Sequence, residues 1–168
     1  MPGATLDSQH LHALYSDHHG WLHGWLRRKL GNTWDAADLA HDTFIRVMTG
    51  RRPVADLGPE PRALLTHIAK GLVVDHWRRQ EVERAYLDAL SQLPEASHPS
   101  PESRLLIMQA LYRIEAMLRG LPARTREIFL LAQLDGLTYA VIAQQMGVSL
   151  ITVKRHMRDA FLACLALD

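Results

Sequence analysis

Apolar residues recur at three- and four-residue steps through the first half of the chain, as in Leu11, Leu14, Tyr15, His18, Leu22, Trp25, Leu26 and Leu30. That spacing fits the 3.6-residue turn of an α-helix and lacks the strict alternation of a half-buried strand. Gly31, Asn32 and Thr33 interrupt the pattern, and Asn32 or Thr33 can cap a second helix from Trp34 to about Thr49. The stretch from Gly50 to Pro61, with Arg51, Arg52, Pro53 and Pro59, reads as a loop. A third long helix is expected from Pro61, through Leu65, Ile68, Ala69 and Leu72, to about Leu90, with Gly71 a point where it can bend.

Ser91 to Ser103, SQLPEASHPSPES, has no apolar period and reads as an exposed linker. Beyond it, Arg104 to Arg119 has a helical pattern, Pro122 suits the first turn of a helix reaching Leu134, and Gly136 ends that helix. Two shorter helices close the chain. The expected fold is all-α: one helical module over residues 1–90, a Pro/Ser-rich linker over 91–103, and a second helical module over 104–168.

The run from Thr138 to Arg158 has the spacing of a helix-turn-helix. Thr138 can cap the first helix, whose apolar stripe is Tyr139, Ile142, Ala143 and Met146. Small Ala143 lets the second helix approach, Gly147 supplies the turn, and Ser149 caps that second helix. At about 100° per residue, Leu150, Val153, Met157, Ala160, Phe161 and Cys164 face inward, leaving Ile151, Thr152, Arg155 and Arg158 outward. That outward set suits a recognition helix. Arg155 can make two hydrogen bonds to a base edge, Thr152 can bond a base or phosphate, Ile151 can pack on a thymine methyl, and flanking Lys154 suits a phosphate.

Charge sharpens the picture only when resolved by position. The 168 residues carry 19 Lys plus Arg against 18 Asp plus Glu, a net charge of +1, so any nucleic-acid role depends on where the charges sit. The content of 48% hydrophobic and 22% charged residues is that of a globular protein. The single Cys164 cannot form an internal disulfide or a thiolate metal site. The start, MPGATLDSQH, lacks the pattern of a signal peptide, and the longest uncharged stretch, Gly136 to Val153, is too polar for a membrane span, so a cytoplasmic protein is expected.

In the second helix Asp35, Asp38, Asp42 and Arg46 share a sector about 80° wide, opposite an expected inward set of Ala37, Ala40, Phe44, Val47 and Met48, with Leu39 at the edge of the polar sector rather than in the core. Such a face is either merely solvated or docks a basic partner. On the third helix Lys70, Arg78 and Arg79 are basic, and Val74 and Trp77 lie away from the core stripe. An outward Trp beside Arg can stack on unpaired bases.

Three blocks together carry a family resemblance: Asp35 to Val47, Ile68 to Arg79, and the helix-turn-helix that comes after Leu121 to Phe129. In this order they resemble a bacterial extracytoplasmic-function sigma factor of the sigma-70 family, over about Leu11 to Ala163. The run from Ala69 to Arg79 and the subsequent Glu83 to Leu87 are most similar to the iron-starvation branch, the ferric-citrate type that controls siderophore uptake. The resemblance implies that Asp35, Asp38, Leu39, Asp42 and Arg46 form the helix that docks on core RNA polymerase, with inward Phe44 as support. It implies that Lys70, Val74, Trp77, Arg78 and Arg79 contact the minus-ten promoter element. Ser149, Ile151, Thr152, Lys154, Arg155 and Arg158 then contact the minus-thirty-five element, and the linker lies along the RNA path of the polymerase. A membrane-anchored anti-sigma regulator is the further implied partner. The chain departs from many members at His41, where they have Gln, at Lys70-Gly71, where they have Arg-Asn, and at Val141, where an acidic residue is frequent.

Two other readings belong to different classes. A dimeric helix-turn-helix regulator would use the first module for dimerisation or sensing and bind a palindrome. An enzyme is suggested by 10 His, with Asp17-His18-His19 and His41-Asp42 resembling phosphoesterase motifs. His41 and Asp42 point about 100° apart on one helix, however, and do not converge on one metal. Neither catalysis nor a metal, cofactor or small-molecule substrate is expected.

Overall fold

The computed structural model describes residues 3–50 and 58–167, with side chains from Ser8 onward. Positions 51–57 of the expected loop, with Arg51, Arg52 and Pro53, lie outside the described residues. Every described element is helical: α1 (Gly3–Leu30), α2 (Thr33–Met48), α3 (Pro61–Ser91), α4 (Pro101–Gly120), α5 (Ala123–Gln133), α6 (Tyr139–Met146) and α7 (Leu150–Leu165), with a single 3-10 turn at Glu95–Ser97. The chain folds as two compact units, residues 1–81 and 82–168, with the border inside α3.

The core of the first unit joins α1, α2 and α3. Leu14, Leu22 and Leu26 of α1 meet Ala36, Leu39, Ala40, Phe44 and Val47 of α2 and Leu65, Ala69, Leu72 and Val73 of α3. The three alanines let the helices approach closely, and Thr43, fully buried, donates its hydroxyl proton to the Leu39 carbonyl at 2.7 Å, so its hydroxyl is not stranded. Asn32 caps α2 by accepting the Asp35 amide proton at 2.8 Å and donating its own amide to the Asp35 carboxylate at 2.7 Å. The guanidinium of Arg62, at the start of α3, lies 4.9 Å from the centroid of the Trp21 ring on α1.

The inward face of α2 differs from the sequence expectation. Ala37 and Met48 are exposed, whereas Ala36 and Thr43 are buried and Leu39 is only 6% exposed. The reason is that α2 is flanked on two sides, by α1 and by α3. The buried arc, from Leu39 round to Phe44, therefore spans about 140° of helix surface, wider than a single packing partner would give.

In the second unit α4 begins at Pro101, three residues before the expected Arg104, because Ser100 caps it by accepting the Ser103 amide proton at 3.2 Å and Pro101 occupies the first turn. None of the described residues of α4 is fully buried. Pro122 sits just before α5 rather than in its first turn. The packed part of the unit is α5, α6 and α7 around Ile128, Ile142, Ala143, Val153 and Met157, with Phe129 meeting Phe161 edge-on at 5.9 Å. Leu150 and Phe161 are nearly half exposed and Cys164 is half-buried, because the covered arc of α7 narrows to Val153, Met157 and Ala160.

Candidate nucleic-acid and polymerase interfaces

The α6–α7 turn is set by local chemistry. Thr138 accepts the Val141 amide proton at 3.3 Å and starts α6. Gly147 ends it in the left-handed conformation, φ 64° and ψ 36°, where a side chain is disfavoured. The Val148 amide then donates to the Ala143 carbonyl at 3.0 Å and the Gly147 amide to that of Gln144 at 3.3 Å, the paired bonds of a Schellman motif, with Val148 folded onto the core. Ser149 restarts the chain as α7 by accepting the Thr152 amide proton at 3.2 Å.

This register turns Ile151, 80% exposed, together with Arg155 and Arg158 into one outward sector about 60° wide, with exposed Lys154 beside it. Thr152 is half-buried and its hydroxyl lies 2.9 Å from that of Ser149, so both hydroxyls lie at the helix start. The Arg158 guanidinium meets the Asp159 carboxylate at 3.1 Å, an exposed pair that an incoming phosphate can exchange at small cost. Arg155 thus stands as the outward cation best placed for a two-bond contact to a base edge.

On α3, Lys70, Val74 and Trp77 share an exposed sector about 60° wide with Arg78 at its margin. Arg78 lies 3.9 Å from Asp75. Arg79 is not part of that group: it falls about 140° from Val74 around the helix. It lines an open groove of about 170 Å³ between α2 and α3, with Asp38, Asp42 and Arg46 at its polar wall and Leu39 and Leu72 among its lining. The five residues expected at the minus-ten element are therefore divided between two faces.

Asp38 and Arg46 on α2 are exposed and Asp42 is half-buried. The carboxylate of Asp35, besides its bond from Asn32, lies 3.4 Å from Nε2 of His76, which ties α2 to α3. Leu39, expected at the edge of the docking face, lies in the core. The exposed apolar residues of α2 are instead Trp34, at 87%, with Ile45 and Met48, and they lie with exposed His41 on the side opposite the Ala36, Ala40, Thr43 and Val47 stripe. The signal was present in the sequence, because two alanines and a threonine at helical spacing mark the side of close packing.

Among the described residues no group of three His, Cys, Asp or Glu converges as a metal site. No described helix is long and apolar enough to cross a membrane.

With this geometry in place, comparison with known proteins gives consistent findings. Residues 14–82 match the family described as Sigma-70 region 2, and residues 111–164 match Sigma-70, region 4. The chain is 46% identical over 161 residues to the ferric citrate uptake sigma factor FecI of Escherichia coli (strain K12), an alignment covering 96% of this chain and 92% of that one. It is 33% identical to the ECF RNA polymerase sigma factor SigE of Mycolicibacterium smegmatis, over 77% of this chain and 50% of that protein. It is 27% identical to the ECF RNA polymerase sigma factor SigL of Mycobacterium tuberculosis (strain ATCC 25618 / H37Rv), over 94% and 88%.

Proposed function

This chain belongs to the extracytoplasmic-function branch of the sigma-70 family of RNA polymerase sigma factors, and from that membership we propose how its surfaces divide the work of promoter recognition. As a sigma factor it binds core RNA polymerase and directs transcription from promoter DNA, and it is not an enzyme.

The minus-thirty-five element is read by α7. Arg155 bonds a base edge, Ile151 packs on a thymine methyl, and Ser149, Thr152, Lys154 and Arg158 hold the backbone around them. The single observation that carries this assignment is the outward cluster of Ile151, Arg155 and Arg158 on a helix whose start is fixed by the Gly147 turn and the Ser149 cap. At the minus-ten element, Lys70 and Arg78 neutralise backbone charge while exposed Val74 and Trp77 receive bases of the opened strand, with binding to the exposed strand offsetting the cost of melting.

Core polymerase docks on α2. Asp38, Asp42 and Arg46 supply charge and Trp34, Ile45 and Met48 the apolar anchor, since interfaces draw most of their affinity from buried aromatic and aliphatic groups rather than from rim charges. Asp35 acts mainly as a brace to Asn32 and His76, Leu39 supports the face from beneath, and Arg79 joins the polymerase side of the groove. We assign residues 1–90 to region 2, 91–103 to the linker and 104–168 to region 4, a scheme supported by the family matches falling inside the two modules.

The likeness to a ferric citrate uptake sigma factor supports iron or siderophore uptake genes as the regulon. A membrane-anchored anti-sigma regulator that holds the factor inactive, and a cytoplasmic site of action, are the further parts of this proposal and rest on the family resemblance alone. Run-off transcription with core polymerase on genomic DNA of the host tests the reading: specific transcripts upstream of iron-uptake genes are expected, and a gel shift should require core polymerase. Equal, specific binding to a palindrome by a free homodimer would overturn it in favour of an ordinary regulator.

A further inference from the structure

His156 lies on α7 between outward Arg155 and buried Met157, and its Nδ1 sits 2.8 Å from the hydroxyl oxygen of Thr125 on α5. The bond joins two helices of the packed unit across 31 residues of chain. Thr125 is only 2% exposed, and a buried hydroxyl is costly to leave without a partner. The equally buried Thr43 satisfies its hydroxyl on its own helix, through the Leu39 carbonyl, whereas that of Thr125 turns to the ring. When the hydroxyl donates to Nδ1, the neutral imidazole carries its hydrogen on Nε2. His156 itself is half-buried. With Nδ1 engaged by the buried hydroxyl, Nε2 is the ring nitrogen left to act as a donor, in a direction set by that bond.

We infer that His156 contacts the promoter backbone, its Nε2–H donating to a phosphodiester oxygen beside the minus-thirty-five element, with buried Thr125 as the positioning residue that sets the tautomer and the plane of the ring. The inference rests on the reading of α7 as the helix that faces that element. Position favours phosphate over base. His156 lies about 100° round α7 from Arg155 and about 140° from Ile151, off the base-reading sector and toward the wall of the groove, where the sugar-phosphate chain runs. A donor held by a buried partner adds a contact of fixed geometry there, of the kind that sets register without reading sequence.

The test uses the full chain assembled with core polymerase on a promoter that the wild-type holoenzyme transcribes. His156→Asn keeps an acceptor near the position of Nδ1 but loses the outer donor; His156→Gln restores a donor at the reach of Nε2; Thr125→Val removes the latch. His156→Asn should melt at the wild-type temperature and bind promoter about tenfold more weakly, by the same factor whether or not the minus-thirty-five bases are altered. His156→Gln should recover most of that loss, and Thr125→Val should fall between. Replacing one flanking phosphate by a methylphosphonate should reproduce the loss in wild type and add nothing in His156→Asn. Wild-type binding by His156→Asn, or a loss that no single methylphosphonate reproduces, overturns the inference. If His156→Asn lowers the melting temperature, the methylphosphonate scan on wild type and His156→Gln decides alone, one sensitive phosphate shared by both supporting the contact and none opposing it. Arg155→Ala separates the two levels: if it weakens binding and His156→Asn does not, only this contact falls, whereas if neither does, the reading of α7 falls with it.

Discussion

Arg155 and Trp34 are both exposed, so each can be removed without disturbing the core, and each probes a different partner. Arg155→Ala should lower discrimination between the preferred minus-thirty-five sequence and a single-base variant by about 1–3 kcal/mol, read from promoter competition with the holoenzyme. Trp34→Ala should leave the unfolding midpoint unchanged and weaken core-polymerase binding by about 2 kcal/mol, whereas Leu39→Ala should destabilise the chain by about 2–5 kcal/mol because Leu39 is buried. Competition for core polymerase, measured beside urea unfolding, distinguishes the two. Of these residues, the outward direction of Arg155 was legible in the sequence, because Gly147 and Ser149 fix where α7 starts and hence its register. The position of Leu39 was not. A helical wheel gives direction but not the number of neighbours, and α3, the second neighbour of α2, begins only at Pro61. The separation of Arg79 from Trp77 has a different origin: sequence proximity suggested one basic face, and the turn of the helix, about 100° per residue, makes two.

At the level of elements, the ends of helices were the most readable part of the chain where a capping side chain stood alone among apolar residues, as with Thr138 and Ser149, while for α2 the sequence offered Asn32 or Thr33 and the structure uses Asn32. The start of α4 was less readable. Its cap Ser100 and first-turn Pro101 sit inside a segment whose Pro and Ser content resembles a linker, so composition masked a local start signal. The α6–α7 turn should bear much of the stability of the second unit. Gly147→Ala has room for the added methyl but must hold a left-handed φ of 64°, and should cost about 1 kcal/mol. Ser149→Ala should cost about the same by leaving the amide of Thr152 without its acceptor. Urea unfolding monitored by circular dichroism measures both, and recovery of promoter binding at lower temperature would show that the loss is one of folding rather than of contact.

For the whole molecule, the near balance of 19 basic and 18 acidic residues becomes informative once the patches are located. Asp38 and Asp42 are on α2, and the basic groups proposed to meet DNA are divided between α3 and α7, so neither proposed DNA surface holds a large excess of positive charge. The free chain should therefore bind promoter duplex weakly and lose that binding steeply as salt rises, while the holoenzyme binds tightly through the joint action of two weak readers. Gel shifts across a salt series, with and without core polymerase, measure this, and a free chain that binds as tightly as the holoenzyme would contradict it. A final consequence concerns dosage. Since α4 has no fully buried residue and leaves Leu105, Leu106, Ile107 and Ile114 open to water, copies made in excess of their partners should clump or be consumed by proteases. The cellular amount of the protein would then track the supply of its partners more closely than its own rate of synthesis. A pulse-chase in overproducing cells should show a half-life that lengthens when the polymerase subunits are supplied alongside.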